Sequence, residues 1–233
     1  MVPATVAAMH RYQASAKLTD SQRHGTGCEL FLVEGDSAAG AVAAVRDART
    51  QAVLPCQGKP LNAWRASAAR VAGYPLYPQL AHALGLPSPT DTEGVDWSAL
   101  RFERLVLLLD PDADGVHIGA LMLLYLQRFA PALLAQKRVL MARAPLAGLR
   151  VADRDTGETE DVWAYTPEQA RTLRERAAAH AARWVVLRDW GFRGLASLPP
   201  EVLHGTCVAP ATRRADVVTP AQMQAVIDVF GGA

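Results

Sequence analysis

The sequence predicts an α/β fold, a parallel sheet flanked on both faces by helices, followed by a smaller α+β subdomain. Three observations predict it. Apolar runs of strand length stand at residues 30–33, 51–55, 104–109 and 139–142. Stretches of helical character separate them, and that alternation suits a sheet covered on both sides. After Leu149 the texture changes to a polar hairpin, a helix, a strand and a last helix.

Residues 1–26 are polar and irregular and read as an N-terminal arm. Leu30, Phe31, Leu32 and Val33 form a buried strand. Gly35-Asp36-Ser37 is turn chemistry, with Asp36 or Ser37 as N-cap of an alanine-rich helix over 38–49. Residues 51–55 make a second strand. A helix over 78–86 is closed by Gly85 and Pro87, and a loop over 87–94 follows. In the run RLVLLL at 104–109 the five residues after Arg104 are continuously apolar, as a central parallel strand should be. A helix over 115–135 breaks near Pro131, and 139–142 close the domain, assigned to 27–149. In the tail, 150–233, VADRDTGETED is a polar hairpin or loop. Thr166 and Pro167 are N-cap and first residue of a helix to about Ala182. WVVLRDW is a strand, and Thr219 opens a final helix ended by Gly231.

The 233 residues are half hydrophobic and one-fifth charged, a soluble composition. A net charge of +1 gives no argument for nucleic acid, so any DNA site must come from local arrangement. Three widely spaced cysteines exclude a disulfide framework or a zinc site of ordinary spacing and fit a reduced cytoplasm. There is no signal-peptide pattern, and the longest apolar run, 120–126, is too short for a membrane span.

The chemistry concentrates in two acidic clusters. EGDS places Glu34 at the end of the first strand. DPDADG places Asp110, Asp112 and Asp114 directly after the RLVLLL strand. Carboxylates at the carboxyl ends of parallel strands stand where α/β sheets hold ligands. If the chain stays extended, Asp110 and Asp112 share a side. Repelling carboxylates are relieved by a hard divalent cation. An EF-hand loop matches D-x-D-x-D-G, but its position twelve, Leu121, lacks the carboxylate, and a strand precedes it. A haloacid-type phosphotransferase lacks its downstream Lys and Asp motifs here. A merely solvated turn remains the bland alternative.

EGDSAAG, LPCQGKPLN, DPDADGVHI, RAPL and FRGL resemble, in order and spacing, landmarks of the B subunit of bacterial type IIA topoisomerases, gyrase or topoisomerase IV. They identify 27–149 as similar to a Toprim domain, with a Rossmann-like sheet. HRYQASAKLTD resembles the segment before that domain, and VVTPAQMQAVIDVFGG the C-terminal helix of the same family. The resemblance covers only the C-terminal part of those family members, so no ATPase or transducer domain, and no ATP site, is expected in this chain. It implies Mg²⁺, with Mn²⁺ as substitute, held by Glu34, Asp110 and Asp112, with Asp114 at a second metal position. Glu34 would also be general acid/base toward the 3′-oxygen of cleaved double-stranded DNA. Lys59, Arg46, Arg193 and His117 would be DNA contacts, His117 alternatively a brace for its helix. The implied partner is an A-type subunit supplying the tyrosine, possibly with a separate ATPase-bearing B portion. None of Tyr12, Tyr74, Tyr77, Tyr125 and Tyr165 lies in a winged-helix context.

Departures from the family pattern include Ala39, Ala41, Ala43, Pro111, Gly119, Ala147, Ala196 and Ser197. They spare the metal acids. Two functions therefore stand: a metal-dependent cleavage and religation module, and a non-catalytic binder that regulates or protects a topoisomerase. A Toprim nuclease acting without a tyrosine is a third.

Overall fold

The computed structural model describes residues 17–232; most of the HRYQASAKLTD segment lies outside them. The elements are β1 (Gly25–Val33), α1 (Asp36–Val45), β2 (Gln51–Pro55), α2 (Ala68–Ala72), α3 (Leu76–Leu84) and β3 (Phe102–Leu108). Next come α4 (Ala113–Phe129), α5 (Pro131–Ala135), β4 (Val139–Ala142), β5 (Ala147–Asp153), β6 (Thr159–Ala164) and α6 (Pro167–Ala179). The chain ends with β7 (Trp184–Gly191), α7 (Pro200–Leu203), β8 (Ala215–Val217) and α8 (Pro220–Val226).

The main sheet has the order β2-β1-β3-β4-β8. Its first four strands are parallel, and β8 joins β4 antiparallel. Alternation along the central strands explains the two cores. Leu30, Leu32, Leu105 and Leu107 face α3 and α4, where Tyr77 and Tyr125 stack at 4.3 Å. Phe31, Val33, Val106 and Leu108 face α1 and α7. Both faces are apolar, so these strands read as continuous hydrophobic runs.

Several boundaries move for local reasons. Gly35 caps α1 through its backbone, so Asp36 is the first helical residue and neither Asp36 nor Ser37 is the N-cap. The helix stops at Val45, four residues early, because the Asp47 carboxylate accepts the Arg49 backbone N–H and turns the chain into β2. The third helix begins two residues before Pro78, whose missing N–H falls harmlessly in the first turn. Gly85 ends that helix in the left-handed region at φ 82°. The long helix breaks at Pro131 as the sequence implies.

The tail is closely tied to the domain before it. β5 runs straight through position 149, where the sequence suggests a boundary. A small antiparallel sheet, β6-β5-β7, carries α6, whose N-cap Thr166 accepts the Gln169 N–H at 3.1 Å. Trp190, Phe192, Leu195, Val202, Leu203, Cys207 and Val208 complete the core beneath α1, while Val218 and Met223 join the opposite core. The short β8 escaped sequence reading because three residues carry no periodic signal.

Candidate metal centre

The strand order sets the site. From β1 the chain crosses to β2 over the α1 face; from β3 it crosses to β4 over the α4 face. Adjacent β1 and β3 thus send their following loops apart, leaving a crevice at their carboxyl ends, where open α/β sheets bind ligands. Leu32 of β1 pairs with Leu107 of β3, so Glu34 and Asp110 both emerge just beyond this register. Two segments 76 positions apart in sequence therefore form one acidic mouth.

Each acid has its own surroundings. The buried Glu34 Oε2 has no hydrogen-bond partner. Burial raises the Glu34 carboxyl above the ordinary range; Asp110, Asp112 and Asp114 raise it further, and Lys59 opposes them. Asp110 Oδ1 accepts the Leu195 backbone N–H at 2.9 Å. Asp112 caps α4 by accepting the Gly115 N–H at 2.8 Å. Asp114, in the first turn of α4, pairs with Lys59 Nζ at 2.7 Å. Outside this set, Asp36 accepts from Lys17 at 2.9 Å and Gln57 at 2.7 Å, and these bonds lower its pKa, Lys17 chiefly.

Asp112 itself keeps extended backbone, at φ −125° and ψ −178°. The chain turns into α4 at Asp112, and Asp110 is drawn towards the tail. Among the described residues no three His, Cys, Asp or Glu side chains form a group that could hold a metal ion as they stand. The donor chemistry nevertheless fits a hard divalent cation: four carboxylates around one crevice, one with an orphaned buried oxygen. Binding there requires the aspartates to share or release their present partners.

The four basic candidates separate. Lys59 stands at the mouth on a loop shaped by Gln57 at φ 62° and Gly58 at φ 90°. Arg193 is exposed beside the loop that reaches Asp110. His117 packs its ring against Phe230 at 5.4 Å, so it braces α4 against the chain end. Arg46 stands apart. Its guanidinium donates to the backbone oxygens of Gln51 and Asp20 at the starting edge of the strands, away from the mouth. Burial lowers its pKa, and its Nε is orphaned. It clasps two segments of the chain together.

Two glycines emerged only with the structure. A Cβ on Gly115 would lie 2.0 Å from the Asp110 carbonyl oxygen. A Cβ on Gly194 would lie 2.5 Å from Asp110 Oδ2. Gly115 sat in the D-x-D-x-D-G string and Gly194 in FRGL, but nothing in the sequence set Gly194, 84 positions away, against Asp110.

Comparison with known proteins agrees with this geometry. Residues 29–144 match the Toprim domain model. The chain is 34% identical over 186 residues to the DNA topoisomerase 4 B subunit of Haemophilus influenzae, covering 80% of this chain and 27% of that protein. It is 33% identical over 204 residues to the DNA gyrase B subunit of Thermotoga maritima, covering 87% and 30%. For the DNA gyrase B subunit of Staphylococcus aureus the figures are 32% over 198 residues, 84% and 29%. The chain thus spans less than a third of the length of these relatives.

Proposed function

Because the chain belongs to the Toprim family, in the region shared by the B subunits of gyrase and topoisomerase IV, we propose that it is the Mg²⁺-dependent half of a DNA double-strand cleavage and religation centre. The attacking tyrosine comes from an A-type partner. The observation that carries this reading is the crevice between β1 and β3, where Glu34 faces three aspartates with one oxygen unpartnered.

In the reaction, the tyrosine oxygen bonds to phosphorus and the bond to the 3′-oxygen breaks. That oxygen must gain a proton, and must lose it again on religation. On this reading Glu34 carries out both transfers. Its orphaned Oε2 is free to carry the proton, and burial with three neighbouring carboxylates favours the protonated state. Asp110 and Asp112, with Asp114 beside them, would hold the cation, which supplies charge stabilisation at the leaving oxygen and clamps the backbone. Lys59 and Arg193 would then serve as phosphate contacts.

The test mixes this chain with an A-type partner from the same source, supercoiled plasmid and Mg²⁺ or Mn²⁺, then quenches with detergent, with and without protease. Linear DNA bearing covalent protein, and lost in Glu34→Ala, is expected. Cleavage unchanged by Glu34→Ala overturns the assignment, and free, unlinked ends would reveal a nuclease. A second reading, a non-catalytic module that docks on a topoisomerase, is favoured by one observation: Asp110, Asp112 and Asp114 each already have a partner within the chain. A stable complex with the A-type partner, without cleavage under either metal, would select it.

A further inference from the structure

We propose that the tail loop at residues 193–197 is a positioning element for Asp110, and that Gly194 and Ser197 thereby set the divalent-cation affinity of the mouth. The inference rests on the metal reading above and assigns the tail a part in it.

The loop meets Asp110 in two ways. The Leu195 backbone N–H donates to Oδ1 at 2.9 Å. The Gly194 Cα lies flat against the carboxylate, since a Cβ there would stand 2.5 Å from Oδ2, 3.0 Å from Cγ and 3.3 Å from Oδ1. Glycine is needed for this approach and not for its torsions; φ 171° is extended backbone open to any residue. The loop is itself held. Ser197 Oγ accepts the N–H groups of Arg193 at 3.0 Å and Gly194 at 3.3 Å, and donates to the Gly194 carbonyl at 2.6 Å. Leu195 is fully buried in the core beneath α1, which anchors the N–H that Asp110 accepts.

A carboxylate fixed on one oxygen keeps the other presented in one orientation, so less order is lost when a cation binds. Partners of this kind change metal affinity by about 10- to 100-fold when removed. In Gly194→Ala the added methyl cannot coexist with Asp110 as placed. The carboxylate must rotate or the loop must withdraw, and either shifts Asp110 relative to the Leu195 N–H. Ser197→Ala frees the loop without touching Asp110.

The experiment measures Mn²⁺ affinity of the full chain by titration with paramagnetic resonance of free Mn²⁺, alongside circular dichroism and melting. For Gly194→Ala the expected result is a Mn²⁺ Kd weaker by about 10-fold or more with an intact fold, and for Ser197→Ala a smaller loss restored in Ser197→Thr. Combined with Asp110→Asn, Gly194→Ala should add no further loss, because the residue it acts through is already gone. Equal affinity of wild type and Gly194→Ala overturns the positioning role alone. Full additivity with Asp110→Asn also overturns it. Absence of Mn²⁺ binding by the wild-type chain overturns the metal reading and this inference together.

Discussion

Removing Arg213 tests how firmly the tail is bound to the domain that carries the acids. Its guanidinium forms a two-pronged ion pair with Glu29 at 2.5 and 2.6 Å, joining the loop before β8 to the middle of β1. The side chains are only 3% and 5% exposed. Gln51 donates to the same carboxylate at 3.0 Å and to the Val208 carbonyl at 3.1 Å. Arg213→Met leaves the Glu29 carboxylate buried with one neutral amide donor. Breaking a buried pair by removing one partner costs about 3–5 kcal/mol. At about 2–4 °C per kcal/mol for a chain of this size, that is a fall in Tm of roughly 6–20 °C. The double variant Glu29→Leu with Arg213→Met removes both charges, and Gln51 keeps Val208. Replacing a buried pair with apolar groups is often near neutral, so most of the loss should return. Urea unfolding of wild type, both singles and the double measures this as a cycle. A loss below about 1 kcal/mol in Arg213→Met would show that water reaches Glu29 and that the tail is loosely held. A double variant no better than the single would show that packing, and not the uncompensated charge, carries the cost.

Other perturbations separate fold from function. Glu34→Gln should abolish the protein-linked cleavage yet slightly stabilise the metal-free chain, by under about 1 kcal/mol because the site is open to solvent screening; melting in chelator checks it, and a lower Tm would contradict the orphaned-oxygen account. Lys59→Met frees Asp114 from its 2.7 Å partner, so Mn²⁺ should bind severalfold tighter while plasmid binding weakens and its salt slope falls by about 1; unchanged values for both would remove Lys59 from the site. The Asp153 pKa is held below its ordinary value by Arg183 first, then by the N–H groups of Asp155 and Thr156. Its contribution is therefore complete above the unfolded value of about 3.9 and lost as pH falls through the lower folded value. Asp153→Asn should lower the Tm near neutral pH and narrow its gap to wild type in strong acid; a constant gap would refute the linkage.

What could be read from the sequence follows from where each signal is stored. The 104–109 run, Thr166-Pro167, Gly85 and Pro131 are local signals, and the structure uses each as the residues imply. The acids were legible because Glu34 and D-x-D-x-D each terminate an apolar run. Their partners were not. Arg46 looked like a free surface charge, yet its role is fixed by two carbonyls, one from a residue 26 positions away. The orientation of Asp110 depends on an N–H 85 positions away, which no periodicity encodes.

That last dependence explains why the tail belongs with the Toprim domain. The crevice between β1 and β3 follows from strand order alone and would exist without the tail. Strand order does not orient a carboxylate that stands past the last paired residue and has α4 starting directly behind it. Gly115 keeps the first turn of α4 close against the Asp110 backbone, and Gly194 brings the tail against its side chain. Asp110 is thus gripped from both sides, by its own helix and by a segment that arrives after four further strands and two further helices. The Glu29–Arg213 pair secures the tail at the opposite edge of the sheet. Loosening that edge while melting stays cooperative should weaken Mn²⁺ binding in Arg213→Met, although Arg213 touches none of the acids. Weaker binding in a folded Arg213→Met, recovered in the Glu29→Leu double, would show that tail docking and cation affinity share one free energy. Unchanged Mn²⁺ affinity in a destabilised Arg213→Met would show that the 193–197 loop holds its place without the rest of the tail.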